Sequence, residues 1–426
     1  MLKRGVLALL IWLASVPVVA KNCDLTQTGA VPLPDLGPGL YKGFSGGLYP
    51  GGTDAPPSAH LQAGVAIAQN IQPLDLAGNP DPAGKIVLIS IGMSNAAQEF
   101  YAGANSFISK LAGDPSLNPQ LAIVNCAEPG RTVEYWLDPE DPVYSDCEAS
   151  LAAEGLSVSQ VQAAWIKQAE PGGGCCSGAF PDHALYQKDR LAQMIRVVKG
   201  KFPKLVIAHL SGRTRAYEDN PNALNPEPIA YETSFAVKWL IEDQLDGAPG
   251  LNFDPARGTV VAPWLAWGPY LWVDGLQPRS DGLTWVCDDT APDGIHPSQS
   301  GVDKVSEQLI AFYKTDLTAK PWFLQPPQGL SIRIESEVLS TDPRRVSFRG
   351  VATGWVPSEF DWSFGDGLST RSASPVKTYP VAGSYSVVLT ARDAAGNGAS
   401  AQMTLTVSST RPVPPSNLRV TSVTSP

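Results

Sequence analysis

The 426-residue chain is poor in charge, histidine and methionine: 17% of residues are Asp, Glu, Lys or Arg, and only four are His and four Met. The net charge of −10 leaves no basic excess to meet a phosphate backbone. That excludes nonspecific nucleic-acid binding. The histidines and cysteines contain no Cys-x-x-Cys and no His-x-x-x-His spacing. No metal site is therefore readable, and nothing calls for a cofactor. No apolar run reaches the ~20 residues of a membrane-spanning helix. With 43% hydrophobic residues, the composition is that of globular domains rather than a disordered chain.

What is present begins with a leader. Lys3 and Arg4 precede an apolar stretch from Gly5 to Val19, interrupted by Pro17, and Val18-Val19-Ala20 offers small residues for cleavage. Residues 1–20 are predicted to be a signal peptide, which places the mature chain in a secreted or periplasmic, bacterial-type setting with no membrane attachment. Lys21 and Asn22 separate Cys23 from the cleavage point, so Cys23 is not placed for lipidation. The six cysteines (Cys23, Cys126, Cys147, Cys175, Cys176, Cys287) are an even set in an exported chain, which predicts disulfides. Their pairing is left open, except that neighbours Cys175 and Cys176 are expected to take different partners.

Residues 21–83 are rich in Gly and Pro and read as an irregular extension. From 84 to 324, short apolar runs alternate with amphipathic stretches. Strands are expected at 85–91, 121–124, 205–210 and 259–262, and helices at 96–112, 184–201, 232–245 and 298–313. This predicts an α/β domain with a parallel sheet covered on both faces. Residues 138–183 and 263–292 are expected to be long loops rimming the carboxyl edge of that sheet, where ligands sit. After Pro321, Pro326 and Pro327 the pattern becomes short alternating strands, which predicts an all-β immunoglobulin-like sandwich over 325–410.

Two strings carry chemistry. Gly92-Met93-Ser94-Asn95 puts a serine directly after the strand-like run 85–91. Asp293-Gly294-Ile295-His296-Pro297 puts a carboxylate and an imidazole three residues apart, before a helical stretch. A serine hydroxyl is a weak nucleophile until a base takes its proton, and that base needs a partner to fix its tautomer. Pro297 suits the first position of a helix, which would put His296 at or just before the N-cap. A third string, Asn125-Cys126-Ala127-Glu128-Pro129-Gly130, follows the second strand and offers a glycine N–H to a substrate. His60, His183 and His209 have no partner pattern and read as structural. Trp264, Trp267, Tyr270 and Trp272 either stack on sugars or pack beneath a loop. Arg279 and Asp281 are loop charges without an assigned role.

In this order and spacing, Gly92-x-Ser94-Asn95, Asn125-x-x-x-x-Gly130 and Asp293-x-x-His296-Pro297 resemble the SGNH (GDSL-type) hydrolase superfamily over roughly residues 84–315. The resemblance implies a flavodoxin-like three-layer fold and ester hydrolysis through an acyl-enzyme. It implies Ser94 as nucleophile, His296 as general base and then acid, and Asp293 as its orienter. The amides of Ser94 and Gly130 would be oxyanion donors. Gly-x-Ser-Asn is also similar to carbohydrate acetylesterases of that superfamily, so the partner expected is an ester substrate, an acylated polysaccharide among the candidates. The family's third block supplies an asparagine to the oxyanion hole. Here the third strand runs instead into Leu210-Ser211-Gly212-Arg213-Thr214-Arg215, leaving Arg213, Ser211 or Thr214 for that role. That gap keeps a second reading open, a non-catalytic extracellular binding or adhesion protein on the same fold. A lipase-like esterase is the third.

Beyond the α/β region, Phe360-Asp361-Trp362-Ser363-Phe364-Gly365-Asp366-Gly367 with Tyr379-Pro380-Val381-Ala382-Gly383-Ser384-Tyr385 resembles PKD (polycystic kidney disease) domains. After a Pro-rich linker, Ser416-Asn417-Leu418-Arg419-Val420-Thr421 resembles the first strand of a fibronectin type III domain.

Overall fold

A computed structural model describes residues 21–171, 178–218, 220, 225–325, 331–339, 342–393 and 398–408. The expected leader, the Cys175-Cys176 pair and the fibronectin-like start lie outside the described residues. The chain divides into two compact units, one up to Leu324 and one from Gln325.

Five parallel strands form the centre of the first unit: β1 (Ile86–Gly92), β2 (Leu121–Asn125), β3 (Val161–Lys167), β4 (Ile207–Leu210) and β5 (Trp264–Trp267), in the order 2-1-3-4-5. This is the flavodoxin-like doubly wound order, whose ligands sit beyond the carboxyl ends of β1 and β3, where the winding reverses. Both of those strands are buried at every position. A strand covered on two faces needs apolar groups on each, and alternate residues serve alternate faces. Val87, Ile89 and Ile91 enter one core, with α4 (Pro142–Ala153), α5 (Asp182–Lys201) and α6 (Ile229–Leu245). Ile86 and Leu88 enter the other, with α1 (Ser58–Asn70), α2 (Ser94–Phe100), α3 (Phe107–Leu111) and α7 (Gln299–Thr315).

Several expectations need correction. The last strand lies at 264–267, not 259–262. Val261 and Ala262 donate their N–H groups to Asn252 O, and Pro263 has none to give. The ladder therefore begins at Trp264, whose N–H reaches Val206 O at 2.9 Å. Residues 138–183 are not a long loop, because they contain α4 and the central strand β3. Residues 263–292 likewise contain β5, and the Gly/Pro-rich extension contains the 13-residue α1. The stretch 96–112 splits into α2 and α3 around Gly103, at φ +104°. Among the described residues no helix is long and apolar enough to cross a membrane.

The second unit is all-β. Strands β6 (Ser331–Val338), β7 (Arg345–Thr353), β8 (Glu359–Ser363), β9 (Ser369–Thr370), β10 (Val376–Thr378), β11 (Gly383–Arg392) and β12 (Gly398–Val407) form two sheets, β9-β8-β11-β12 and β10-β7-β6. Phe348, Trp362, Phe364, Tyr379, Val387 and Leu389 share one core.

Candidate active site

The carboxyl edge of the sheet gathers the sequence-predicted residues. Ser94 opens α2 two residues past β1, and its Oγ lies 2.7 Å from Nε2 of His296. On the far side of the ring, Nδ1 lies 2.6 Å from Oδ2 of Asp293. The other oxygen, Oδ1, accepts the N–H groups of Ile295 and His296, both at 2.9 Å. Burial acts to raise the Asp293 pKa. The two backbone donors and the imidazole outweigh it and hold the carboxyl below its ordinary range. An ionised carboxylate only accepts, so Nδ1 carries the proton and Nε2 is left to accept from Ser94. The helix register differs from expectation. Ser298 is the N-cap of α7, accepting from Gly301 N–H, so Pro297 and His296 precede the cap.

Two glycines make the approach possible. A Cβ at Gly92 would lie 2.5 Å from Ala96 Cβ and 2.6 Å from Lys167 O. Only glycine lets the chain turn from β1 into α2 against the end of β3. Gly294, at φ +74°, would put a Cβ 2.4 Å from Tyr217 O. There the Asp293–His296 loop is bound on both sides. Gly294 O accepts from Tyr217 N–H at 2.7 Å, and Pro292 O from Lys21 N–H at 2.8 Å. A disulfide from Cys23 to Cys287 fastens the same region.

The Gly130 loop leaves β2 alongside the end of β1. Glu128 N–H donates to Gly92 O at 3.0 Å, tying this loop to the glycine before the serine. A second disulfide, Cys126 to Cys147, anchors it to α4. Gly130 itself is exposed, at φ +75°, with open space where a side chain would be.

The candidates for a third oxyanion donor are placed differently from one another. Ser211 is committed: its hydroxyl donates to Pro269 O at 2.7 Å and accepts from Trp165 Nε1. Thr214 is buried, and no hydrogen bond joins it to Ser94 or His296 among the described residues. Arg213 lies beneath the site. Its Nη2 donates to Asn95 Oδ1 at 3.2 Å, while Nε and Nη1 are shut off from solvent without partners among the described residues. Asn95 in turn donates from Nδ2 to Ile295 O at 2.9 Å. The residue after Ser94 thus holds the carbonyl before His296, and Arg213 fixes the orientation of that amide.

One part of the site has no sequence signature. Glu99 of α2 and Lys167 at the end of β3 form a fully buried pair, with Nζ 2.5 and 2.7 Å from the two carboxylate oxygens. Burial pushes Glu99 up and Lys167 down to about 8, and burial also lowers Arg213, to about 10. Charged types read from sequence as surface residues, and only the fold brings these three together.

The remaining residues are structural. His60 bonds Leu265 O, His209 bonds Thr318 Oγ1 and His183 bonds Glu232. Trp264, Trp267, Tyr270 and Trp272 are all buried, which settles them as packing groups rather than a sugar platform. Arg279 grips Asp281 with Nε and Nη2 and reaches Tyr270 O with Nη1. A cleft of about 350 Å³ opens beside Asp293 and His296, between α2 and α7.

Comparison with known proteins bears on the second unit. The family model described as PKD domain matches residues 334–408. This segment is a PKD domain. It is similar to the PKD1 domain of the Vibrio cholerae metalloprotease PrtV, at 30% identity, covering 18% of this chain and 96% of that one with a TM-score of 0.17. It is also similar to the PKD1 domain of Vibrio anguillarum Epp, at 27% identity, covering 19% and 94% with a TM-score of 0.17. Elsewhere, the structure of TesA is 16% identical, covering 54% of this chain and 98% of that one with a TM-score of 0.32. No curated protein matches the chain. In the PKD domain, Trp362 and Phe364 of the Trp-Ser-Phe-Gly-Asp-Gly string enter the core. Gly365, at φ +77°, packs where a Cβ would meet Ser386 N at 2.7 Å. Asp366 pairs with Lys377 at 2.7 Å, which closes the turn onto β10.

Proposed function

We propose that the α/β unit is a serine ester hydrolase of the SGNH type, acting outside the cytoplasm on short acyl esters of a carbohydrate. The observation that carries this reading is the unbroken hydrogen-bonded chain Ser94–His296–Asp293, with spacings of 2.7 and 2.6 Å. In this mechanism Ser94 Oγ attacks the ester carbonyl carbon as His296 Nε2 takes its proton. Asp293 stabilises the imidazolium that forms and keeps it oriented. The backbone amides of Ser94 and Gly130 receive the oxyanion. Collapse of the tetrahedral intermediate breaks the bond to the alcohol oxygen, which takes the proton from His296. Water then repeats the sequence on the acyl-enzyme, releasing the acid and restoring Ser94. The two disulfides support an oxidising location. A PKD domain following the α/β unit in the sequence fits an extracellular enzyme working on a polymer.

The test is Ser94→Ala, assayed with p-nitrophenyl acetate and with a fluorophosphonate probe. Loss of turnover and of labelling is expected. Turnover that survives the substitution removes Ser94 as nucleophile, and a folded wild-type protein that takes no label leaves a binding protein on this fold.

A further inference from the structure

The segment that leads into the Asp293–His296 turn is gripped from outside by one residue. Lys21 donates from Nζ to Cys287 O at 3.1 Å and to Thr290 O at 3.2 Å, and from its backbone N–H to Pro292 O at 2.8 Å. Nζ also lies 3.5 Å from Oδ1 of Asp288. One side chain and its own amide thus span residues 287–292. That segment in turn holds the imidazole. Ala291 N–H donates to His296 O at 2.7 Å, and Ala291 O accepts from Gly294 N–H at 2.9 Å. Asp289 O and Asp288 O accept the N–H and the hydroxyl of Ser298, the N-cap of α7. A shift of the segment therefore shifts His296, whose Nε2 must stay within hydrogen-bond reach of Ser94.

We infer that Lys21 is a positioning residue for His296 and that removal of the leader completes it. The inference rests on the esterase reading above and on cleavage after Ala20. Hydrolysis of the Ala20–Lys21 amide by an export peptidase consumes one water and leaves a carboxylate on Ala20 and an ammonium on Lys21. The nitrogen that gave a single N–H to Pro292 O then carries three, with a positive charge. A hydrogen bond from a charged donor is roughly twice as strong as a neutral one. The processed chain grips the segment with two ammonium groups, one on Cys287 O and Thr290 O, the other on Pro292 O next to Asp293. The unprocessed chain has only the first. Cys23 is bonded to Cys287, and Asn22 N–H donates to Tyr217 O at 2.7 Å, so the amino-terminal stretch stays in place when either ammonium is removed.

The experiment compares four exported proteins: wild type, Lys21→Met, Lys21→Arg, and a chain with Gly-Ser inserted between Ala20 and Lys21, which moves the processed amino terminus off Pro292 O. Intact mass reads the first residue of each, and p-nitrophenyl acetate gives kcat and KM alongside melting curves. Wild type is expected to begin at Lys21. Lys21→Met and the inserted chain should each lose about tenfold in kcat, from an imidazole displaced by less than the ~1 Å that costs about 10²-fold. KM should stay within about twofold and melting within a few degrees, because the disulfide still tethers the stretch. Lys21→Arg should recover most of the kcat, since it returns a charged donor to Thr290 O. Lys21→Met at the wild-type kcat overturns the positioning role. So does a loss that Lys21→Arg shares in full, or one that follows a falling melting temperature. Wild type that begins elsewhere, or an inserted chain at the wild-type kcat, overturns the part played by the amino terminus. Wild type that hydrolyses no ester and takes no fluorophosphonate overturns the esterase reading and this one with it.

Discussion

Asn95 offers the sharpest test of how the site is held. In Asn95→Asp one side-chain oxygen keeps its place opposite Arg213, now as an ionic acceptor, which strengthens that bond. The other side-chain position changes from donor to acceptor and faces Ile295 O, at a distance that was a 2.9 Å hydrogen bond. Two acceptors do not stay at that spacing, so the Ile295–His296 segment moves away. A displacement of the order of 1 Å costs about 10²-fold in rate, or ~2.7 kcal/mol of barrier. Asn95→Leu separates this effect from folding. It strands Ile295 O and Arg213 Nη2 at about 1–3 kcal/mol each and lowers the melting temperature. For Asn95→Asp, kcat on p-nitrophenyl acetate should fall about 10²-fold, because the displaced imidazole meets Ser94 poorly in the transition state. KM should change little, and melting should stay within a few degrees of wild type. A kcat within threefold of wild type would refute the clamp.

Three further outcomes are expected. Asp293→Asn keeps an oxygen for the two backbone donors but presents an N–H to Nδ1. This imposes the wrong tautomer and lowers kcat about 10⁴-fold, and a loss under tenfold counts against the triad. Replacing Cys126 and Cys147 by serine opens a closure with a sequence separation of 21 residues and should cost about 3 kcal/mol in urea unfolding; an unmoved midpoint contradicts it. Asp114 is held at about 2 by its bonds to Lys314 and Ser116, against about 3.9 in the unfolded chain. Its folded pKa is the lower one, so its contribution is present above about pH 4 and is lost as pH falls through 2. Asp114→Asn should therefore destabilise by about 1 kcal/mol at pH 7 and not at all below pH 2, read from melting curves across that range.

The parts of the molecule legible in sequence are those with strong local pattern. β1 is an apolar run with a serine just past its end, and β11 and β12 alternate along their length. The strand β3, Val-Gln-Ala-Ala-Trp-Ile-Lys, is as central as β1 yet carries no strand pattern in the sequence. Its small alanines and a terminal lysine give neither a run nor a period, and its burial comes entirely from the helices laid over it. Val260-Val261 has more strand propensity than Trp264–Trp267, but Asn252 takes its hydrogen bonds and Pro263 delays the ladder. At the site, Asp293 and His296 are legible because they lie three residues apart, and Ser94 because it directly follows an apolar strand run. The support beneath them was not, since Arg213, Glu99 and Lys167 come from three different elements and meet only at the sheet edge.

The bond between Cys23 and Cys287 joins residues 264 apart, and it braces the segment that leads to Asp293. Synthesis runs from the amino end, so Cys23 waits through most of the first unit before its partner emerges. This part of the site is thus closed by an oxidation as well as by packing. With the thiols reduced, the histidine loop keeps its hydrogen bonds to Lys21, Tyr217 and Asn95 but loses this covalent brace. How firmly the Asp293–His296 loop is held therefore depends on the oxidation state of two thiols as well as on packing.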